Sequence, residues 1–286
     1  MYHLFAVNVP SEQRSRAFSY LSAFGSIGQT FVTAACPHIP WRWPFYIFGV
    51  AGLIWCLVWM IYYEKSTATV DEEALLYKKN LSPLRNWRKF FFTRPLLAVY
   101  FAHFCMNWTA YIIMHWLPTY LHTKLNADTQ TLSLACLPYA FNSLCSIGVG
   151  HIADSVVNGK HLTVAQVRKL ATVIGLVGPA LFIFFFAALS HLYAAVIVIS
   201  VSMGLLAFNS PGHLSNHADL CGKYAGISFA ISNTIATLPG LVVGPLTAEF
   251  VTQSSGRWWP AFVLAGMLNL TGAVAYLNYG STKQII

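Results

Sequence analysis

Residues 96–121 read LLAVYFAHFCMNWTAYIIMHWLPTYL, a stretch long enough and apolar enough to cross a bilayer. A hydrocarbon core of about 30 Å is spanned by about 20 helical residues rising about 1.5 Å each. Within it His103, Asn107, Tyr111 and His115 stand four residues apart. On a helix that spacing advances by about 40° per step and lays down one slowly winding polar stripe. Polar groups are costly in lipid, so the stripe is expected to face protein or water. Two uses fit it: hydrogen bonds that glue neighbouring helices, or the wall of a path through the membrane.

Working outward, apolar runs of similar length recur at about 17–36, 43–63, 131–153, 170–189, 193–208, 225–251 and 259–279. The chain is therefore expected to be an all-α polytopic membrane protein with about eight transmembrane helices. Charged residues make up 9% of it, against roughly 25% in soluble domains. A net charge of +8 in a soluble protein would raise nucleic acid as a partner, but here the basic residues fall in the loops. Alternating the runs from side to side puts all but three of the 17 Lys and Arg (Arg42, Lys124 and Arg257) on one face. By the positive-inside rule that face is cytoplasmic, and both termini lie on it. No nucleic-acid partner is expected; the lipid bilayer is.

The six cysteines, Cys36, Cys56, Cys105, Cys136, Cys145 and Cys221, include no C-x-x-C pair and read as small packing residues. No cofactor or metal is expected: His213, His217 and Asp219 have metal-like spacing, but their loop context favours a structural role. Residues 1–16 lack the charged, apolar and cleavage regions of a signal peptide.

The chain divides into three parts. Residues 64–95 form a polar connector holding Asp71, Glu72, Glu73, Lys78, Lys79, Arg85, Arg88, Lys89 and Arg94. The second apolar run opens Trp43-Pro44-Phe45 with Gly49 soon after, and the last opens Trp259-Pro260-Ala261-Phe262 with Gly266 soon after. This loose echo fits parallel duplication of a six-helix unit. On that reading 1–63 are the last two helices of an amino-terminal bundle, 64–95 the cytoplasmic connector and 96–286 a complete carboxy-terminal bundle. A comparable stretch of helices is then expected upstream of Met1, and the stripe is expected to face that partner bundle.

Local motifs narrow the reading. Pro10 with Arg14-Ser15-Arg16, Trp41-Arg42-Trp43, His103-Phe104-Cys105, Asn107-Trp108 and Leu117-Pro118-Thr119-Tyr120 occur in order. Ala153-Asp154 and Val167-Arg168-Lys169 follow. The most specific run is Ser215-Asn216-His217, Asp219, Tyr224-Ala225-Gly226, Ser232-Asn233-Thr234 and Pro239-Gly240. Together they resemble the major facilitator superfamily and, within it, the anion:cation symporter family, which includes vesicular glutamate transporters, sialin, sodium/phosphate cotransporters and plant plastid phosphate transporters. The resemblance covers essentially the whole chain, as the family's helices five to twelve. It implies an incomplete major facilitator fold and secondary active transport of an organic or inorganic anion, such as phosphate or a carboxylate, by alternating access. Coupling to H⁺, Na⁺ or membrane potential goes with it, in a monomer of the plasma membrane or an organelle such as a plastid or vesicle. Two departures stand out. Cys221-Gly222-Lys223 replaces the family's usual Pro-Arg before Tyr-Ala-Gly, and Met106 stands where relatives often carry Arg or His, so a thioether replaces a charge.

An anion in low dielectric needs donors or cations. On the substrate path the candidates are His103 and His115 as proton-linked donors, Asn107 and Tyr111 as uncharged donors, and Asn233 near the bends at Pro239, Gly240, Gly244 and Pro245. Against each stands interhelical packing. Gly150, Asp154, Arg168 and Lys169 look like a gate latch, G-x-x-x-D followed by basic residues, with a solvated loop as the alternative. An enzyme is not expected, since no nucleophile with its base and no repeated His cluster is present. The structural alternative to a transporter is a truncated membrane protein or gene-model fragment that does not transport.

Overall fold

The computed structural model describes residues 2, 3, 5, 9, 10, 13–62 and 87–285. Most of the connector lies outside the described residues. The helices are α1 (Arg14–Ala35), α2 (Trp43–Tyr62), α3 (Arg94–Leu125), α4 (Leu137–Asn158), α5 (Val164–Ala188), α6 (Leu192–Leu206), α7 (Ala225–Gln253) and α8 (Trp259–Tyr279). A short helix, Trp87–Phe92, leads into α3 and buries Phe90. Among the described residues there is no strand.

Six of the described segments are long and apolar enough to cross a membrane, and one of them, Leu192–Gln253, is long enough for two crossings. It holds α6, α7 and an irregular connection between them. Within that connection Gly212 leaves the helical region at φ −81°, ψ −123°, and Gly222 has φ +47°. Arg14–Ala35 is long enough, but Ser15, Ser19, Ser22, Ser26, Gln29, Thr30 and Thr33 keep it less apolar.

Helix boundaries follow local chemistry. α3 does not stop at Pro118 but runs on to Leu125, because a proline removes one backbone donor and neighbouring groups in a membrane bundle re-satisfy the freed carbonyl. It ends at Asn126, which takes the left-handed conformation at φ 54°. α5 starts earlier than its apolar run, at a capping box in which Thr163 and Gln166 bond each other's backbone N–H. Arg168 and Lys169 therefore lie on a helix rather than in a loop. The tryptophan-proline pairs open α2 and α8, with proline in the first turn.

α3 packs on α7 and α8, α8 on α5, α5 on α6 and α6 on α4. Ile112, Ile113 and Leu121 of α3, Ile183 and Phe186 of α5, Ile199 of α6, Val243 of α7 and Phe262 of α8 share one core. In lipid the gain from such a core is van der Waals fit rather than escape from water. α1 docks along α4, while α2 buries no residue.

Candidate substrate path and latch

α3 and α7 run parallel in one register. His103 Nδ1 and Ser232 Oγ share a hydrogen bond of 2.8 Å, and Asn107 Nδ2 donates to the Ala236 carbonyl at 2.8 Å, each pair 129 residues apart. The same offset sets Tyr111 against Gly240 and His115 against Gly244. A Cβ on Gly240 would come within 3.0 Å of the Tyr111 ring, and one on Gly244 within 3.7 Å of His115 Nδ1. Every member of the stripe thus meets a small residue of α7, which is why α7 spaces Ser232, Ala236, Gly240 and Gly244 by four.

The stripe lies along α7, whereas the expectation from the sequence turns it toward a partner bundle. Its two ends differ. His103 is buried, Asn107 and Tyr111 are half-buried and His115 is exposed. Asn233 sits one residue off the contact line and is exposed. Met106 is half-buried and packs against the apolar cores.

A cavity of about 390 Å³ opens between α1, α3 and α4, lined in part by Gln29, Thr33, Met114, Pro118 and Tyr139. None of these residues is among the site candidates read from the sequence, where Pro118 enters only as part of a motif. Its wall on α1 carries Gly25 and Gly28, at neither of which an added Cβ would meet anything within 4 Å.

Around this cavity α1 and α4 are joined by polar pairs: Ser26 Oγ donates to Asn142 Oδ1 at 2.6 Å and Tyr20 Oη meets His151 Nε2 at 2.6 Å, while just past the end of α1 and just before α4 His38 meets Ser133 at 2.7 Å. At one end the pairing becomes ionic. The Arg16 backbone N–H donates to Asp154 Oδ2 at 2.9 Å, and its guanidinium Nε lies 3.8 Å from the same oxygen. Gly150, one turn away on α4, lets the helices touch: a Cβ there would lie 2.6 Å from Ser19 Cβ and 3.1 Å from Arg16 Cα.

Arg168 completes this end. It is 1% exposed and donates to Asp219 Oδ2 at 2.8 Å, to Ser15 Oγ at 2.9 Å and to the Pro211 carbonyl at 2.8 Å. One guanidinium therefore bridges α1, α5 and the α6–α7 connection. A planar fork with five donors suits that task as an ammonium does not. Arg14 adds a longer contact to Asp219 at 3.5 Å. Gly150, Asp154 and Arg168 come together as one candidate latch. Lys169 does not join them: it points away and donates to the Leu277 carbonyl of α8 at 2.8 Å. The three residues the sequence left out, Ser15, Arg16 and Asp219, reach the latch only through tertiary packing. Ser15, Ser19 and Ser26 do share the buried face of α1, a periodicity that could have been noticed.

Gly222 explains one departure from the family pattern. At φ +47°, ψ −120° it takes a conformation closed to proline, whose ring fixes φ near −65°.

The sequence profile of the Major Facilitator Superfamily matches residues 1–242. The chain belongs to this superfamily. Sialin from Homo sapiens is 32% identical over 96% of this chain and 59% of its own length. The chloroplastic sodium-dependent phosphate transport protein 1 of Arabidopsis thaliana is 30% identical over 97% of this chain and 56% of its own. A probable vesicular glutamate transporter of Caenorhabditis elegans is 28% identical over 95% and 50%. These relatives set this superfamily member in the anion:cation symporter branch, a group of multi-pass membrane transporters and not of enzymes. The chain spans 59% of the length of sialin. Its helical fold, with several spans and no described strand, is that of an incomplete major facilitator protein.

Proposed function

We propose that this chain supplies the latter helices of a secondary active transporter for a small organic or inorganic anion. The observation that carries this reading is Arg168, fully buried where α1 meets the α3–α8 body, with acceptors on both sides of that contact. Two bodies held by hydrogen bonds and ion pairs at one end, with a cavity between them, can rock apart there and close elsewhere. On this reading α1 and α2 are the end of an amino-terminal bundle, 64–95 is a cytoplasmic connector and α3–α8 form the second bundle. Both termini face the cytoplasm, as the clustering of basic residues supports. The protein acts as a monomer.

The path lies along the cavity between α1, α3 and α4. Gln29, Thr33 and Tyr139 line it, and the less buried end of the stripe, Tyr111 and His115, stands outside that lining on the α7 side of α3. These are uncharged or titratable donors suited to carboxylate or phosphate oxygens. Coupling to H⁺ or Na⁺, or drive by membrane potential, fits a branch whose named members include a sodium-dependent phosphate transport protein.

The test is uptake into proteoliposomes. Labelled phosphate, glutamate, sialic acid and ascorbate are offered under an imposed proton gradient, a sodium gradient or a potassium diffusion potential. Accumulation of at least one anion under one of these drives is expected, and it disappears with Arg168→Met. A protein that accumulates none of them under any drive refutes the reading. A second reading, a membrane protein that does not transport by itself, is favoured by α2, which offers its whole surface without burying a residue.

A further inference from the structure

Where α3, α7, α8 and the α6–α7 connection meet, three histidines are buried together: His103 of α3, and His213 and His217 of the connection. The His103 and His213 rings are 6.0 Å apart between centroids. Phe229 of α7 lies against His103 at 5.7 Å and against His217 at 5.6 Å. Their hydrogen bonding is uneven. His103 Nδ1 pairs with Ser232 Oγ and His217 Nδ1 with Ser228 Oγ, both at 2.8 Å. His217 Nε2 and both ring nitrogens of His213 have no partner among the described residues. Buried polar groups are nearly always paired, and an imidazole that makes no interhelical bond is not acting as packing glue.

We propose that His103, His213 and His217 together bind one proton, and that this proton releases the Arg168 latch. The step is simple in its balance: a ring nitrogen takes a proton from water, one N–H bond forms, and nothing is oxidised or reduced. The groups facing the cluster are Tyr100 from α3, Tyr276 from α8 and Tyr2 from the amino-terminal segment. α7 adds Ser228 and Ser232, and the connection adds the buried Cys221 thiol. From α5 comes Arg168, whose guanidinium holds the Pro211 carbonyl two residues before His213. The carboxylate of the connection, Asp219, is engaged by Arg168 and Arg14. Among the described residues an imidazolium in this packing has no counter-ion of its own, so the closed arrangement accepts the neutral cluster and a proton enters together with water.

Two features link that proton to motion. A cavity of about 460 Å³, lined by Leu21, Ser22, Ser210, Leu214 and Phe229 among others, ends at the ring that covers His103. The connection also carries both halves of the device. Pro211 and Asp219 are acceptors for Arg168, and His213 and His217 lie between them in sequence, beside the break at Gly212. Hydration and charging of the cluster displace the segment on which two of the three Arg168 acceptors sit.

The proposal rests on the transport reading for the meaning of the open state, but its test needs no substrate. The protein is placed in lipid nanodiscs with its exposed thiols removed by Cys36→Ser and Cys56→Ser. Tyr20→Cys and His151→Cys then report closure of α1 on α4 by cross-linking. Between about pH 8 and about pH 5.5, the range in which histidine titrates, the yield is expected to fall as pH drops. With His213→Asn added it is expected to stay flat. His217→Gln is the second variant, used where His213→Asn does not reach the parent melting temperature. A flat yield in the parent, or the parental fall in a folded His213→Asn or His217→Gln protein, overturns the proposal. Anion uptake with a flat yield overturns the proton site alone, whereas a titrating cross-link without uptake of any anion overturns the transport reading alone.

Discussion

Arg168 Nε lies 2.8 Å from Asp219 Oδ2 with both side chains buried, and the same guanidinium reaches Ser15 on α1. A buried pair of this kind is weak evidence for net stability, since desolvation offsets much of the attraction. Removing one member is a different matter, because the other stays buried and unpaired. Arg168→Met and Asp219→Asn are each expected to destabilise the protein, Arg168→Met by about 3–5 kcal/mol, read as a fall in melting temperature in nanodiscs. Arg168→Lys should recover little, because an ammonium does not reach three acceptors in fixed directions. A lysine variant with the parental melting temperature would show that only the charge matters.

Gly150 tests how closely α1 must approach α4. A methyl group there meets Ser19 Cβ at 2.6 Å and the Arg16 backbone at 3.1 Å, so Gly150→Ala forces the helices apart at the latch. The expected cost is about 1–3 kcal/mol, the usual range for overpacking, and uptake should fall with it. Ser19→Gly in the same protein removes the nearest atoms and is expected to restore part of the loss. Gly148→Ala, with nothing within 4 Å of the added carbon, is the control. Equal effects at Gly148 and Gly150 would remove the close approach as the cause.

The pattern of spans was legible because hydropathy and length are properties of single segments. So was the α3 stripe, since a spacing of four fixes which residues share a helical face. Which face meets which is another kind of information. Nothing in the order of residues says that Arg16 meets Asp154, or that Lys169 turns to Leu277 while its neighbour Arg168 turns inward; a change of one residue on a helix is a rotation of about 100°. The stripe's partner was nonetheless written in α7 as Ser232, Ala236, Gly240 and Gly244, and reading the two spacings together would have paired them. α1, read as the apolar run 17–36, is less apolar than the other spans because its serines form the face that docks on α4.

Asp128 offers a pH test outside the membrane spans. Hydrogen bonds from the Thr131 hydroxyl and backbone N–H hold its carboxyl below the usual carboxylate range. A carboxyl depressed in the folded state contributes stability that is present above its unfolded value, about 3.9, and is lost as pH falls through the folded value. Asp128→Ala should therefore lower the melting temperature at neutral pH by a small amount, and the difference from the parent should shrink on acidification below the carboxylate range. Asp128→Asn keeps a cap acceptor and should track the parent more closely. A difference that persists unchanged into acid would exclude the carboxylate as its source.

The stripe on α3 separates two uses of one set of residues. His103→Ala leaves Ser232 without its partner, and Asn107→Ala leaves the Ala236 carbonyl without its donor. If these bonds only glue helices, each variant should lose stability and uptake together, by about 1–3 kcal/mol for a buried group left unpaired. If the stripe also serves the transported ion or the proton, uptake should fall more than stability does. Leu97→Ala on the exposed face of α3 supplies the reference, as it changes neither a polar contact nor a packed one. The transport reading expects slower uptake in His103→Ala and Asn107→Ala at matched amounts of folded protein, with Leu97→Ala near the parent. It also expects the His103→Ala rate to lose its dependence on pH while that of Asn107→Ala keeps it, because only the imidazole titrates. Uptake that follows folded protein in all three variants assigns the stripe to packing, and the substrate path then lies along Gln29, Thr33 and Tyr139 alone.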